Sequence, residues 1–248
     1  MTSHSRKSNS ANPNEDAVQK LVYGISHDLG APLRAVVQFS QLLEQQLDAH
    51  LDEKARYWLH LIRDGGSKAQ AMVEALLRYS RLSSRMRAHN RFSLQDVAVA
   101  AIDEQVNRWR YTHPQAMQPD WDIPAPLPHI TGAMEHWHLF FSCVVANALL
   151  FQPKDRPDNI PRLRVLDESR NETFCLVIED NGIGVAENRW PELTRPFMRG
   201  QSEQDYPGLG MGLAYCERIA HLHGGSLDFR LSSLGGLAVV YSHGPETG

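Results

Sequence analysis

Residues 15–47 read EDAVQKLVYGISHDLGAPLRAVVQFSQLLEQQL. Within them Val18, Val22, Ile25, Leu29, Pro32, Val36, Phe39 and Leu43 recur at alternating steps of four and three. Such a heptad seam keeps one stripe of a helix turned towards a partner. Pro13-Asn14-Glu15-Asp16 supplies a start, with Asn14 as N-cap and two acids complementing the positive end of the helix dipole. A break at Asp48-Ala49-His50 leads into a second amphipathic stretch, about 52 to 86. There Leu59, Ile62, Ala69, Val73 and Leu76 continue the pattern, and Gly65-Gly66 reads as a soft spot. Two long helices on a short connection predict an antiparallel hairpin. A lone hairpin leaves much of its apolar face wet, so two copies are expected to pair as a four-helix bundle, making the chain a homodimer.

Outward from the hairpin, residues 1–13 are Ser/Asn-rich and predict a disordered tail. The hairpin spans 14–86, a basic linker 87–92 follows, a second domain runs 93–243, and 244–248 form a short tail. In that second domain helical patterns at 93–109 and 134–151 alternate with β-rich runs at 162–166, 173–179, 226–231 and 237–242. A further helix, Met211 to His223, stops at Gly224-Gly225. The pattern predicts helices packed on one face of a mixed sheet. The fold class is therefore α+β: a helical hairpin followed by an α/β sandwich.

The chain has 248 residues, which at about 150 residues per domain allows one or two domains. With 25 Lys+Arg against 29 Asp+Glu, a net charge of −4 offers no bulk attraction for nucleic acid or an anionic membrane. The charge-free run from His136 to Pro153 is interrupted by Ser142 and Asn147, which marks a buried helix rather than a membrane span. The polar N-terminus carries no apolar signal segment, so a cytoplasmic location is expected. Cys143, Cys175 and Cys216 form no CxxC and suggest neither a disulfide framework nor a zinc site. They read as core filler in a reducing compartment. His136 and His138, and likewise His221 and His223, diverge on their helices and predict structural or solvated roles.

Four places carry chemistry. His27 lies between seam positions and so faces water, while Asp28 is placed to hold one imidazole nitrogen and leave the other nucleophilic. Pro32 removes the hydrogen bond to the Asp28 carbonyl and should loosen that turn. The bland alternative is a solvated surface histidine. In Ile178-Glu179-Asp180-Asn181-Gly182-Ile183-Gly184-Val185 an acid leaves an apolar strand into a glycine pair, suited to accept from an adenine amino group, or simply a β-turn. Gly208-Leu209-Gly210-Met211-Gly212-Leu213 opens a helix whose backbone amides can cradle phosphates. No strand feeds this loop, which excludes a dinucleotide fingerprint; a flexible surface loop is the alternative. Asn147, in an otherwise apolar helix, either bonds to backbone or offers an oxygen to a metal, for which Mg²⁺ bridging nucleotide phosphates is suited.

The string Ser26-His27-Asp28-Leu29-Gly30-Ala31-Pro32-Leu33-Arg34 resembles the H box of sensor histidine kinases, most closely the phytochrome type. The run around Asn147, Asp180-Asn181-Gly182-Ile183-Gly184, Arg195-Pro196-Phe197-Met198-Arg199-Gly200 and the glycine loop resemble, in order, the N, G1, F and G2 boxes of the GHKL-type (Bergerat) ATP-binding domain. The resemblance covers about residues 17 to 243. It implies a two-component protein-histidine kinase, with His27 the phosphoacceptor and Asp28 the general base taking its proton. Asn147 would hold Mg²⁺ against the ATP phosphates, Asp180 would read adenine, and Gly182 and Gly184 would shape its pocket. Phe197 would anchor a lid beginning at Gln201, and Gly208, Gly210 and Gly212 would wrap the phosphates. The phosphoryl would pass to an aspartate of a response-regulator receiver domain. The stimulus would enter through a longer chain or from a separate sensor protein, since no input or membrane segment precedes the hairpin.

Three positions depart from the family pattern. The N box normally carries Asn and Lys where this chain has Cys143 and Leu150, which removes a cation near the phosphates; Lys154 or Arg199 is the expected substitute. Position 31, often Thr or Asn in kinases that are also phosphatases, is Ala31 and predicts weak or no phosphatase action. Cys143 and Leu150 also keep open a histidine phosphotransfer protein with a degenerate ATP-binding domain, and an ATP-binding scaffold is the third alternative.

Overall fold

A computed structural model describes residues 13–47, 50–82, 90–155, 159–202 and 205–244, with side chains described from Tyr23 onward. The expected terminal tails, the hairpin break at 48–49, residues 83–89 and the lid positions 203–204 lie outside that range. The chain divides into two compact units between residues 84 and 85.

The first unit is the hairpin of α1 (Pro13–Leu47) and α2 (Glu53–Arg81). α1 begins at Pro13, so Asn14 sits inside the helix rather than capping it; a proline's fixed φ suits the first helical position. α1 runs unbroken through Pro32. α2 is capped by Asp52, whose Oδ1 accepts from the Ala55 amide at 2.7 Å, and ends at Arg81, short of the expected 86. Antiparallel pairing is fixed by contacts at both ends: Arg63 on Glu44 at 2.7 Å, and Arg81 over the Tyr23 ring.

The stripe of α1 turned inwards is Ser26, Gly30, Leu33, Val37, Ser40 and Glu44, one residue on from the apolar seam. Small side chains there let the helices approach closely. A Cβ on Gly66 would stand 2.8 Å from Val37 Cγ2, so Gly66 is a buried point of contact and not the soft spot its sequence suggests. The seam itself lies on the outside: Ile25, Leu29, Val36, Phe39 and Leu43 are 44–63% exposed. Tyr57, Trp58, Leu61 and Ile62 of α2 are exposed as well.

In the second unit, β1 (Asn90–Ser93) pairs antiparallel with β3 (His129–Gly132), so residues 90–92, expected as linker, are strand. Between them come α3 (Leu94–Thr112) and β2 (Asp120–Asp122); α4 (Met134–Leu150) follows. The remaining elements are β4 (Arg162–Asp167), β5 (Phe174–Asp180), α5 (Gly212–Leu222), β6 (Ser226–Leu231) and β7 (Leu237–His243). The five-stranded sheet runs β2-β4-β5-β7-β6, with β2 parallel to β4 and the other pairs antiparallel. It is mixed, as the sequence predicts. The short strands β1, β2 and β3 carry too few alternating residues to be read in advance.

α3 is capped by Ser93, whose Oγ accepts from the Asp96 amide at 3.2 Å, and buries Leu94, Val97, Ala98, Ala101, Ile102 and Val106 at helical spacing. α4 is apolar nearly all round and buries Trp137, Phe140, Phe141, Val144 and Val145. Each large side chain so buried contributes about 1.5–3 kcal/mol by leaving water. With Leu176 and Ile178 of β5 and Ile219 of α5 these residues form the core. α5 stops as expected: Gly224 takes φ +71 and the Gly225 amide returns to the Ala220 carbonyl at 2.9 Å.

Candidate functional site

On α1, His27 and Asp28 are 75% and 83% exposed, and His27 Nδ1 lies 3.2 Å from Asp28 Oδ1. The inward stripe passes through Ser26 and Gly30, which turns the intervening residues to water. Held at Nδ1 by an acceptor, a neutral imidazole carries its proton there and leaves the Nε2 lone pair for chemistry.

In the second unit, β5 ends at Asp180. Its Oδ1 accepts from the Gly182 amide at 2.8 Å and from the Leu237 amide at 3.0 Å. Burial pushes this carboxyl above its ordinary range; the two amides pull it back, and the neighbouring Glu179 charge adds to the rise. Glu179 is itself buried and accepts from the Ser233 amide and hydroxyl at 3.0 and 2.6 Å, tying down the β6–β7 turn. That turn brings Gly236 against Asp180: a Cβ there would overlap the carboxylate and stand 2.5 Å from the Gly182 nitrogen. The following residues dock on the end of α4. The Ile183 amide donates to the Phe151 carbonyl at 2.9 Å, and a Cβ on Gly182 would meet the same oxygen at 2.6 Å. Gly184, at φ +66, lies against the backbone of Gly236.

Asn147 sits on the half-buried stripe of α4, and its amide is 3.5 Å from where a Gly212 side chain would begin. α5 starts at Gly212 with no side chain capping its first amides, so these face the loop with the positive end of the helix dipole. In that loop Gly208 and Gly210 take φ +149 and +73. A Cβ on Gly210 would meet the Met198 carbonyl at 2.5 Å, and the Gly210 carbonyl accepts from the Phe197 amide at 3.1 Å. Phe197 is held at φ +61, a conformation that costs a non-glycine residue about 1–3 kcal/mol and is kept by this braid. Downstream, Tyr206 packs on Phe151 at 5.2 Å between ring centres and donates from its hydroxyl to the Gln152 carbonyl at 3.1 Å.

The structure thus gathers Asn147, Asp180, Gly182, Gly184, Phe197, Gly210 and Gly212 into one neighbourhood where α4, α5 and the β5 end converge. The His Kinase A (phospho-acceptor) domain family matches residues 17–85, and the histidine kinase-, DNA gyrase B- and HSP90-like ATPase family matches residues 134–246. The chain is a sensor histidine kinase core. Cyanobacterial phytochrome A of Nostoc sp. (strain PCC 7120) is 28% identical over 90% of this chain and 28% of its own length. The phytochrome-like protein Cph1 of Synechocystis sp. (strain PCC 6803) is 26% identical over 85% of the chain and 27% of its length. The kinase core therefore spans less than a third of these curated relatives. Full-length ShkA, solved in complex with AMPPNP, shares the fold with a TM-score of 0.63 at 19% identity, covering 91% of this chain and 45% of that one.

Other sequence expectations meet the kinase core differently. Lys154 and Arg199, the candidate substitute cations, are engaged with residues 205 and 206. Lys154 Nζ pairs with Asp205 at 3.0 Å, and Arg199 donates to the Tyr206 carbonyl at 2.6 Å. Asn181, read as a turn residue, clamps β4 by accepting from the Arg162 amide and donating to the Ile160 carbonyl, both at 2.8 Å. His136 and His223, expected in structural or solvated roles, meet across 87 residues of sequence with Nδ1 to Nε2 at 3.3 Å. Gly236, Leu237 and Ser233 are the site residues that the sequence reading missed; the Gly235-Gly236 pair before an apolar strand was their only signal. Among the described residues no helix is long and apolar enough to cross a membrane, and no group of three or more His, Cys, Asp or Glu could hold a metal.

Proposed function

We propose that this core binds Mg-ATP in the second unit, transfers its γ-phosphoryl to His27 and passes it on to an aspartate of a response-regulator receiver domain. The observation that carries the reading is the exposed His27 ring with Nδ1 set against the Asp28 carboxylate. In the transfer the Nε2 lone pair of His27 attacks the γ-phosphorus, the bond to the bridging β–γ oxygen breaks, and ADP leaves. The positive charge then on the imidazole is relieved as Asp28 takes the Nδ1 proton. Both backbone bonds to Asp180 fall on Oδ1, so Oδ2 is the oxygen that meets the adenine amino group. Gly182 and Gly184 allow the base close approach. The uncapped amides of α5 and the loop of Gly208, Gly210 and Gly212 receive the phosphates, and Phe197 anchors the lid that excludes water. A side-chain amide oxygen is a hard ligand that fits Mg²⁺, and Asn147 would hold it; when bound, the ion neutralises phosphate charge. Arg199, through the Tyr206 carbonyl, sets where the lid closes.

The seam left outside the hairpin supports a homodimer in solution. The input comes from a longer chain or a separate sensor protein, and a cytoplasmic location follows from the use of ATP. The test is incubation with γ-labelled ATP, wild type beside His27→Gln. Acid-labile, base-stable label that vanishes in the variant is the expected result; undiminished label would remove His27 from its role. Cys143 and Leu150 in place of polar N-box residues favour a second reading, a phosphotransfer protein with a degenerate ATP-binding domain. Failure to bind Mg-ATP would select it, and binding without label would leave an ATP-binding scaffold.

A further inference from the structure

α4 and α5 touch along Phe140, Cys143 and Asn147 on one side and Gly212 and Cys216 on the other. A Cβ on Gly212 would lie 3.7 Å from Cys143 Cβ and 3.5 Å from the Asn147 amide, so the helices meet there without an intervening side chain. One turn further along the same face of α5, Cys216 Sγ lies 3.7 Å from the Phe140 carbonyl oxygen. The Cys143 and Cys216 thiols are both free, and the two side chains neighbour each other across this helix contact. Cys216 is fully buried, whereas Cys143 is half-buried and one turn from Asn147.

We propose that Cys143 and Cys216 form a redox-modification site, in which a peroxide converts the two thiols to a disulfide that pins α4 to α5 and disables the nucleotide site. Its regulatory consequence rests on the nucleotide reading above; the modification itself does not. Cys143, the more accessible thiol, reacts first. Its sulfur attacks one peroxide oxygen, the O–O bond breaks, and a sulfenic acid and one water result. Burial pushes the Cys216 thiol well above its usual value, which makes it the slower nucleophile, so it acts second and only on the sulfenic acid formed beside it. Its sulfur then attacks the Cys143 sulfur, the S–O bond breaks, and the hydroxyl leaves with the Cys216 proton as a second water. Two thiols are oxidised by two electrons and one hydrogen peroxide is reduced to two waters. A disulfide is shorter than a thiol–thiol contact, so its closure draws α4 onto α5 one turn from Asn147. With no side chain at Gly212 to cushion the shift, the Asn147 amide and the first amides of α5 move together.

The experiment treats the full chain with hydrogen peroxide, blocks remaining thiols, and reads tryptic peptides by mass spectrometry alongside binding of a fluorescent ATP analogue. A Cys143–Cys216 peptide pair lighter by two hydrogens is expected, with binding weakened at least about tenfold and restored by dithiothreitol. Cys216→Ala should bind normally when reduced and keep that binding after peroxide; Cys175→Ser should behave as wild type. Absence of the cross-linked pair overturns the site. A cross-link that leaves binding unchanged overturns its regulatory role. Reduced wild type that binds no nucleotide would instead overturn the proposed function, with the cross-link still readable by mass.

Discussion

A single hydrogen atom at position 236 is what lets Asp180 occupy its place. Any larger side chain overlaps the carboxylate and crowds the Gly182 nitrogen, and neither can yield, because Oδ1 is already held by the Gly182 and Leu237 amides. Gly236→Ala is therefore expected to cost about 1–3 kcal/mol of stability, as overpacking does, and to weaken nucleotide binding more than that loss explains. Urea unfolding and calorimetric titration with ADP check the two effects separately; unchanged ADP affinity would free Asp180 from this constraint. Asp180 also predicts a pH dependence. Burial raises its folded pKa above the unfolded value, so the folded state holds the proton more tightly. Its contribution to stability is present at acid pH and is lost as pH rises through the raised value. ATP recognition runs the opposite way, because the ionised carboxylate accepts the adenine amino group. Binding should fall on acidification at a higher pH than an ordinary aspartate would give, and Asp180→Asn should flatten that limb. His27, Asp28, Asp180 and the glycines were legible because each sits in a short run of neighbours with its own chemistry. Gly236 and Ser233 were not, because what they touch lies more than fifty residues away in sequence and a hairpin turn looks the same whether or not it props a carboxylate.

At the scale of elements, periodicity placed the long pieces and missed the short ones. α1 to α5 and β4 to β7 are long enough for three or more turns or several alternations, whereas β1, β2 and β3 have four, three and four residues and give no period. The hairpin shows a subtler limit. The strongest apolar stripe of α1 is not the one that packs against α2; a neighbouring stripe of small and mixed residues does so, because close helix approach requires little side chain. Gly65 and Gly66 separate the two influences. Gly66 lies under Val37, and Gly66→Val should destabilise the hairpin by about 1–3 kcal/mol. Gly65 has nothing within 4 Å of a Cβ, so Gly65→Ala should stabilise it by about 0.5–1 kcal/mol through helix propensity alone. Thermal unfolding of the two variants followed by circular dichroism decides the matter, and equal effects would contradict the packing described. The proposed lid makes a further element-level case. Arg199→Ala removes the bond to the Tyr206 carbonyl and should slow phosphorylation sharply; an unchanged rate would discard Arg199 from the lid's closure.

For the molecule as a whole, the question is what covers the outer seam. Ile25, Leu29, Val36, Phe39 and Leu43 on α1, with Trp58, Leu61 and Ile62 on α2, expose more apolar side chain than a lone helical hairpin in water ordinarily tolerates. Their heptad spacing on α1 fits knobs into the holes of another helix pair, and a second copy of the same hairpin supplies a self-complementary face. Phe39 is the most exposed of the α1 group and contributes little inside its own hairpin. Phe39→Asp together with Leu43→Asp should therefore leave each hairpin helical while placing four carboxylates at the centre of the paired face, two from each copy. Desolvating unpaired charges there costs several kcal/mol per ion, enough to separate a dimer of micromolar or weaker affinity at working concentrations. Sedimentation should show wild type at twice the mass of the double variant, with the helical circular dichroism retained in both. Wild type sedimenting as a monomer, or the variant remaining a dimer, would mean that something other than a second copy lies on the seam.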